Sequence, residues 1–457
     1  MKYYKIICLV ICYLIVTQIK AQTDDSMFIH KLFSTSLSSG KSYAFLTGLC
    51  KEVGPRLSGS DNADKAVAYA KQKMLEYGYD NVHLQAALVP RWIRGAPEKI
   101  YYTLDKKSAA INMPACALGG SIGTNGVLSA PVIEVHDFTE LKELGRKNVE
   151  GKIVFFNRPM DPTNIETFAS YGGEVNQRTE GASQASQYGA VGVIVRSMNL
   201  SLDDFPHTGV MIYRDSVKKI PAAAISTNAA EGLSNELKQK NEIVLSMQMN
   251  CETLPDKLSN NVIGEIKGSG SDKIILCGGH LDSWDLAEGA HDDGAGCAHV
   301  IEALRLLKVS GYVPKHTIRV CLFMNEENGS RGSAAYYDSS KIKGEKYLAA
   351  LESDAGGFVP KGFTLDMTEA SIAKVKLWAK LFEPYEIYMF NKGGGGADIG
   401  PFKKDNVPLI GMRPDSQRYF DVHHSRLDVL ENVNKRELEL GAASIAAFLY
   451  LVDKYEL

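Results

Sequence analysis

Three runs within residues 273–324 decide the fold: KIILCGG (273–279), CAHVIEALRLLK (297–308) and TIRVCLFM (317–324). The first and third are apolar on consecutive residues, so both faces of each strand must be covered. The second places Val300, Ile301, Leu304 and Leu307 on one stripe at helical spacing. Strand, helix, strand with both strand faces apolar is the pattern of a sheet packed between helices. YLAALES (347–353) and VPLIGM (407–412) repeat it downstream. The expectation is an α/β fold, a mixed, mostly parallel sheet with helices on both faces.

Working outward, DNADKAVAYAKQKMLEYGY (61–79) reads as a helix capped by Asp61 or Asn62, with Ala66, Val67, Ala70 and Met74 on one face and Gly78 as its stop. A strand-like run, VHLQAALV (82–89), follows. From about Gly120 to Asn250 the texture changes to short strands with Gly-rich breaks: APVIEV (130–135), GKIVFF (151–156), AVGVIV (190–195) and IPAAAIS (220–226). A single helix is expected there, near GASQASQYGA (181–190). The block has no doubled acids or histidines and reads as an inserted binding or lid unit. A chain of 457 residues has room for two such units.

The N-terminus carries Lys2 and Lys5, an apolar run from Ile6 to Val16, and the small Ala21. That run falls short of the roughly 20 residues a membrane-spanning helix needs. It reads as a cleaved secretory signal over residues 1–21, which implies a secreted, periplasmic or lysosomal protein with no membrane attachment after cleavage. Losing it removes three lysines and moves the formal charge from -3 to -6. Mild acidity of this kind offers no footprint for nucleic acid or anionic lipid. Cys8 and Cys12 leave with the signal, and the six remaining cysteines are far apart, as buried free thiols rather than a disulfide framework.

Polar groups collect where the apolar runs end. His280 and Asp282 close the first run, Glu326 and Glu327 close the second, and Asp354 closes the third. In open α/β sheets ligands bind beyond the carboxyl ends of the strands. Histidines and carboxylates without nearby cysteine suit zinc and similar divalent metals. A metal pair about 3.5–4 Å apart can polarise a carbonyl and lower the pKa of a shared water. Adjacent residues leaving a strand point opposite ways, so one of Glu326 and Glu327 can ligate while the other serves as general base. Asp282, two residues after His280, is placed to accept its second ring N–H.

GGHLDSWDLAEGAHDDGAG (278–296), MNEENGSRGS (324–333), ESDAGG (352–357) and FDVHHSRLD (420–428) together resemble the co-catalytic di-zinc exopeptidase family. GPRLSGS (54–60) and VPRWIRG (89–95) resemble its carboxypeptidase Q-like branch, and the other main branch is the zinc aminopeptidases. The resemblance runs from about Ser42 to the C-terminus. It implies a catalytic domain in two segments, 22–120 and 255–457, around a β-rich protease-associated insert at 121–254. It further implies two Zn2+ ions, with His280 and Asp354 on one, Glu327 and His424 on the other, Asp292 bridging them, a cis peptide between Asp292 and Asp293, and Glu326 as acid/base. A metal-held hydroxide would be the nucleophile and small peptides, including dipeptides, the substrates. A homodimer is also implied.

Other residues receive supporting roles. His291 is expected at the pocket rim, His423 as packing or hydrogen-bonding support, Asp293 as a turn former, and Asp285 and Glu288 as ordinary loop acids. Tyr419 is a candidate oxyanion or substrate contact. NKGGGGADIGPF (391–402) lacks the Gly-Lys-Ser/Thr ending of a phosphate loop. Under the resemblance it is a substrate-pocket loop that brings Asp398 near the substrate. Rival readings are a broad-specificity zinc aminopeptidase, a glutaminyl cyclase-type acyltransferase and an inactive receptor-like module.

Overall fold

The computed structural model describes residues 23–104, 109–239 and 243–457. The signal expected over residues 1–21 lies outside them. Two eight-stranded sheets organise the chain. In the first, the strand order is Asp80–Ile93, Glu252–Ile266, Thr317–Phe323, Lys273–His280, Lys346–Glu352, Leu409–Pro414, Pro360–Asp366 and Met389–Lys392. The four strands from Thr317–Phe323 to Leu409–Pro414 run parallel, and antiparallel pairings flank them. Side chains alternate across this sheet as the strand period requires. Leu276, Cys321, Phe323 and Ala350 pack with Tyr336 and Phe402 on one face. Ile275, Cys277, Val320 and Leu351 pack on the other against the helices Ala295–Val309 and Lys435–Tyr455. Helices therefore cover both faces, as the doubly apolar runs demand.

The helix expected over 61–79 forms at Asp61–Glu76, but Ser60 caps it, its side chain accepting from the Ala63 amide. Asp61 and Asn62 already lie inside the first turn.

The second sheet runs Ile111–Met113, Lys99–Thr103, Val244–Gln248, Leu128–Val135, Ile153–Phe156, Gly192–Arg196, Ala222–Ile225 and Ala115–Ala117. It is built wholly from chain lying between the first two strands of the first sheet. Its first strand is Lys99–Thr103, well before the boundary expected at 121, because that segment pairs antiparallel with Val244–Gln248 from the far end of the block. The single expected helix is also too few. Phe138–Val149, Thr167–Glu174, Gly181–Gln187 and Thr227–Gln239 are all helical. Every residue of Ile153–Phe156 and Gly192–Arg196 is buried, so these short parallel strands need cover on both faces. One face packs Phe156, Val195 and Leu141 together with Phe358, Tyr419 and Phe420 of the first domain. The other packs Phe155, Ile194 and Leu233 together with Trp92 and Trp284.

The six cysteines among the described residues are free and buried, in keeping with the thiol reading.

Candidate metal centre at the edge of the parallel strands

The catalytic candidates meet at the carboxyl ends of the parallel strands. His280 is the last residue of its strand, and its Nε2 lies 3.2 Å from Asp292 Oδ1 and 3.6 Å from Asp354 Oδ1. The other Asp292 oxygen, Oδ2, lies 3.1 Å from His424 Nε2. His424 Nε2 is in turn 3.1 Å from Glu327 Oε2. Donor atoms on one tetrahedral zinc, each about 2.0–2.2 Å from the ion, stand about 3.3 Å apart, and these separations match. Asp292 Oδ2 is buried with no hydrogen-bond partner although two imidazole nitrogens sit beside it. Lone pairs facing a common point rather than one another are what a cation would satisfy. The residues thus fit two metals that share Asp292.

Backbone geometry builds this arrangement. The Asp292–Asp293 peptide is cis, as the resemblance implied. Asp293 turns away from the donors, accepting from the His280 amide at 3.0 Å and the Gly296 amide at 3.0 Å, so it shapes the turn. Gly296 lets the next helix start against the neighbouring strand end: a Cβ there would sit 1.8 Å from the Ser353 carbonyl oxygen. Asp428 accepts from the backbone amides of both His291 and Asp292, at 2.6 and 3.1 Å. Burial, with the Asp292 charge beside it, pushes the Asp428 carboxyl up to about 7. This clamp on the shared ligand had no role assigned from sequence, although Asp428 lies four residues after His424.

Residues 261–449 match the model of peptidase family M28. Carboxypeptidase Q of Bos taurus is 35% identical over 422 residues, covering 92% of this chain and 86% of its own length. The chain belongs to peptidase family M28. A peptidase M28 precursor from Shewanella amazonensis SB2B, a solved structure, is 33% identical with a TM-score of 0.89, over 94% of this chain and 97% of that one. A zinc aminopeptidase from Bacillus subtilis shares the fold at a TM-score of 0.64 and 20% identity, over 91% of this chain and 95% of its own. The M28 assignment agrees with the co-catalytic zinc exopeptidase resemblance carried by the motifs.

Several supporting residues of this M28 member sit elsewhere than expected. The ring Nδ1 of His280 meets the backbone carbonyl of Asp282 at 3.0 Å, while the Asp282 carboxylate stays 3.9 Å away. That carboxylate instead accepts from the Asn325 and Glu326 amides at 2.6 and 3.1 Å, fixing the turn that presents Glu326. Asp282 is a positioning group for the base candidate. His291 is not at the rim. It is buried, stacks on Phe358 with ring centroids 4.2 Å apart and accepts from the Gly357 amide, and burial lowers its imidazole to about 4. Asp398 does not line the main cavity; it is fully buried, with both oxygens lacking hydrogen-bond partners. Its loop is held away because Glu352 accepts from the Ala397 and Ile399 amides. Gly394, Gly395 and Gly396 do line a smaller cavity of about 130 Å³ beside Asp354.

Asp285 and Glu288 are more than loop acids. Asp285 takes a two-pronged ion pair from Arg94 at 2.8 and 2.6 Å, and Glu288 pairs with Lys51 at 2.6 Å. His423 stacks on His424 with centroids 3.6 Å apart and its Nε2 comes within 3.5 Å of Asp292 Oδ2. His424 reaches both Asp292 and Glu327, a geometry His423 does not share, which favours His424 as the donor. Asn328 and Ser330, just after the Glu326–Glu327 pair, line the main cavity.

Acids and imidazoles at the site are tightly balanced against one another. Burial disfavours the charged form of His280, but Asp292 and Asp354 overcome it and raise its imidazole well above the usual range. Burial likewise opposes the charge on His424, and Glu327 and Asp292 raise it. Glu326 is pushed well above the ordinary carboxyl range by burial and by Asp354, Glu327 and Asp292. Apart from His280, these groups border a cavity of about 740 Å³. The second sheet's segment contributes Phe168, Tyr171, Arg178, Met211 and Lys219 to its lining, and Tyr419 lines it as well. Among the described residues no helix is long and apolar enough to cross a membrane.

Proposed function

We propose that this M28 metallo-exopeptidase hydrolyses small peptides, dipeptides included, at a two-zinc centre held by His280, Asp292, Glu327, Asp354 and His424. The observation that carries the reading is the pair of donor sets meeting on the two oxygens of Asp292, within the wall of a cavity of peptide size. Zinc bound there supplies Lewis acidity, which polarises the scissile carbonyl and makes a water acidic.

The chain's own residues do the rest. Glu326 faces the cavity, takes the proton of the attacking water on its carboxylate and returns it to the leaving amine. Asp282 holds the Glu326 amide and so aims that carboxylate. Tyr419, buried in the cavity lining beside His423, is the candidate contact for the substrate's carbonyl oxygen. The segment carrying the second sheet acts as a protease-associated domain that walls the site. Secretion through the 1–21 signal and a homodimeric assembly belong to the same reading.

The test is hydrolysis of unblocked dipeptides before chelation, after it, and after adding zinc back. Activity should vanish and return. Turnover that persists in fully metal-free protein contradicts the proposal.

A further inference from the structure

The main cavity does not end at the metal donors. Phe168 and Asp354 line both it and the smaller cavity of about 130 Å³ beside the glycine loop 393–396. Thr364, Gly394, Gly396 and Arg413 in turn line both that small cavity and a third, of about 530 Å³. The three volumes therefore adjoin in series, from the metal donors past Asp354 to a groove beside Met389, Asn391 and Lys392. Asn391 and Lys392 are exposed, so the groove reaches the surface. Met389–Lys392 is the last strand of the first sheet, and among the described residues only Pro360–Asp366 pairs with it. An edge of that kind can take an extended peptide as a further strand.

The loop at the narrow point is held at its two ends and left open between them. The Gly393 amide donates to the Leu365 carbonyl at 3.2 Å, and Glu352 accepts from the Ala397 and Ile399 amides at 3.0 and 2.9 Å. Among the described residues nothing accepts from the amides of Gly394, Gly395 or Gly396. Successive main-chain donors without acceptors are groups that the carbonyls of a peptide can satisfy. Gly396 has a φ of +140°, and a Cβ there would sit 2.3 Å from Glu352 Cδ, so glycine is what lets the loop come this close. A Cβ on Gly394, by contrast, meets nothing within 4 Å, at a position bordering both the small cavity and the groove. The charged side chains of the small cavity are Glu352, Asp354 and Arg413. Arg413 is already paired with Glu166 and lies 5.1 Å over the Phe168 ring. No free cation lines this cavity among the described residues, so the side of a peptide that suits it is the amino side.

We infer that the small cavity and the groove take the amino-side residues of peptides longer than two residues, so that the enzyme shortens oligopeptides one residue at a time from the carboxyl end. The bond cut is the last peptide bond. Water adds across it, releasing the C-terminal amino acid from the main cavity and the shortened peptide from the groove. The main cavity then holds one residue beyond the scissile bond, and the rest of the chain runs past Asp354 and the glycine loop to lie along Met389–Lys392. The inference rests on the peptidase reading above and extends its substrates from dipeptides to oligopeptides.

The experiment compares kcat/KM for the dipeptide Ala-Phe and the tetrapeptide Ala-Ala-Ala-Phe, which share one scissile bond, with the zinc-loaded full chain in wild type, Gly394→Phe and Gly394→Ala. Mass spectrometry identifies the first products. Contacts in the groove lie remote from the bond and add binding energy, so wild type should cut the tetrapeptide at least as efficiently as the dipeptide and release phenylalanine first. A ring placed in the space shared by the two cavities should lower the tetrapeptide-to-dipeptide ratio about 10-fold or more in Gly394→Phe, while the single methyl of Gly394→Ala should leave that ratio within a few-fold of wild type. A wild-type ratio below about one-tenth overturns the inference and leaves the peptidase reading standing. So does release of alanine from the amino end as the first product. A Gly394→Phe ratio that stays at the wild-type value while both rates fall together marks a structural role for the loop and also overturns it. If Gly394→Phe does not fold, the wild-type ratio and the first product still decide. Wild type that cuts neither substrate refutes the peptidase reading itself.

Discussion

Glu326 and Glu327 are covalent neighbours that meet different surroundings. Glu327 turns inward, accepting from the Trp284 amide at 3.2 Å and facing His424, and burial with Asp292 pushes it up to about 7. Glu326 turns to the cavity, its amide held by Asp282. Glu326→Gln keeps the volume and removes the proton acceptor, so zinc content should stay at the wild-type level while kcat falls about 10²–10⁴-fold. Metal analysis and steady-state kinetics on one preparation check this, and a fall of only a few-fold would remove Glu326 from the role. His280 and His424 give a second expectation. Their raised imidazoles hold protons in the metal-free site, and a histidine must be neutral to ligate. Zinc uptake must then release protons, and because both imidazoles stay protonated everywhere below their raised range, its apparent affinity should weaken steadily as pH falls below that range, not only across the ordinary imidazole window. Competition with a chelator across that range measures the slope, and a flat profile contradicts it. His280, Glu326, Glu327 and Asp354 stood out in the sequence because each closes an apolar run, whereas the choice among the doubled candidates, Asp292 and His424 included, came from the resemblance. Asp428 was not legible, since it acts through backbone amides 137 and 136 residues away in the chain.

At the level of elements, the apolar runs that predicted a sheet covered on both faces became the parallel centre of the first sheet, and the helix after DDGAG starts where its glycines allow. The second sheet was legible only in its interior. Its strand at Lys99–Thr103, second from the edge, is half-buried, and pairing with a segment nearly 150 residues later joins it to the far end of the block. Asp282 was misread for a related reason: strand periodicity placed its side chain beside His280, but the chain leaves the strand at His280 and the carboxylate swings to the neighbouring turn. The Arg94 link between the two sheets carries a prediction of its own. Arg94 reaches Asp285 and Glu98 and also donates to the Ala117 carbonyl at 2.7 Å. Arg94→Met leaves Glu98 buried without its cation, and should lower stability by about 3 kcal/mol. Urea unfolding monitored by tryptophan fluorescence reads this, and a loss below about 1 kcal/mol would reduce the link to a surface ion pair.

Across the whole molecule the two sheets meet around the cavity through contacts that come from sequence-distant segments. Thr167 donates to the Ser416 carbonyl, Ser201 to Asp421, and the Thr208 amide to the His424 carbonyl at 2.9 Å. The last of these places a non-glycine residue with a φ of +60°, His424, under the grip of the other domain. Its ring Nδ1 also meets the Thr208 carbonyl at 3.3 Å. Affinity at one end of such a link and order at the other are reciprocal by thermodynamic necessity. Loading zinc should therefore slow amide hydrogen exchange around residue 208, in a domain that holds none of the proposed ligands. Mass-detected exchange with and without the metal is the measurement, and unchanged protection there would show that the walls respond independently. If the coupling holds, the second sheet works as an occupancy gauge: a chain whose wall is loose is a chain whose centre is empty.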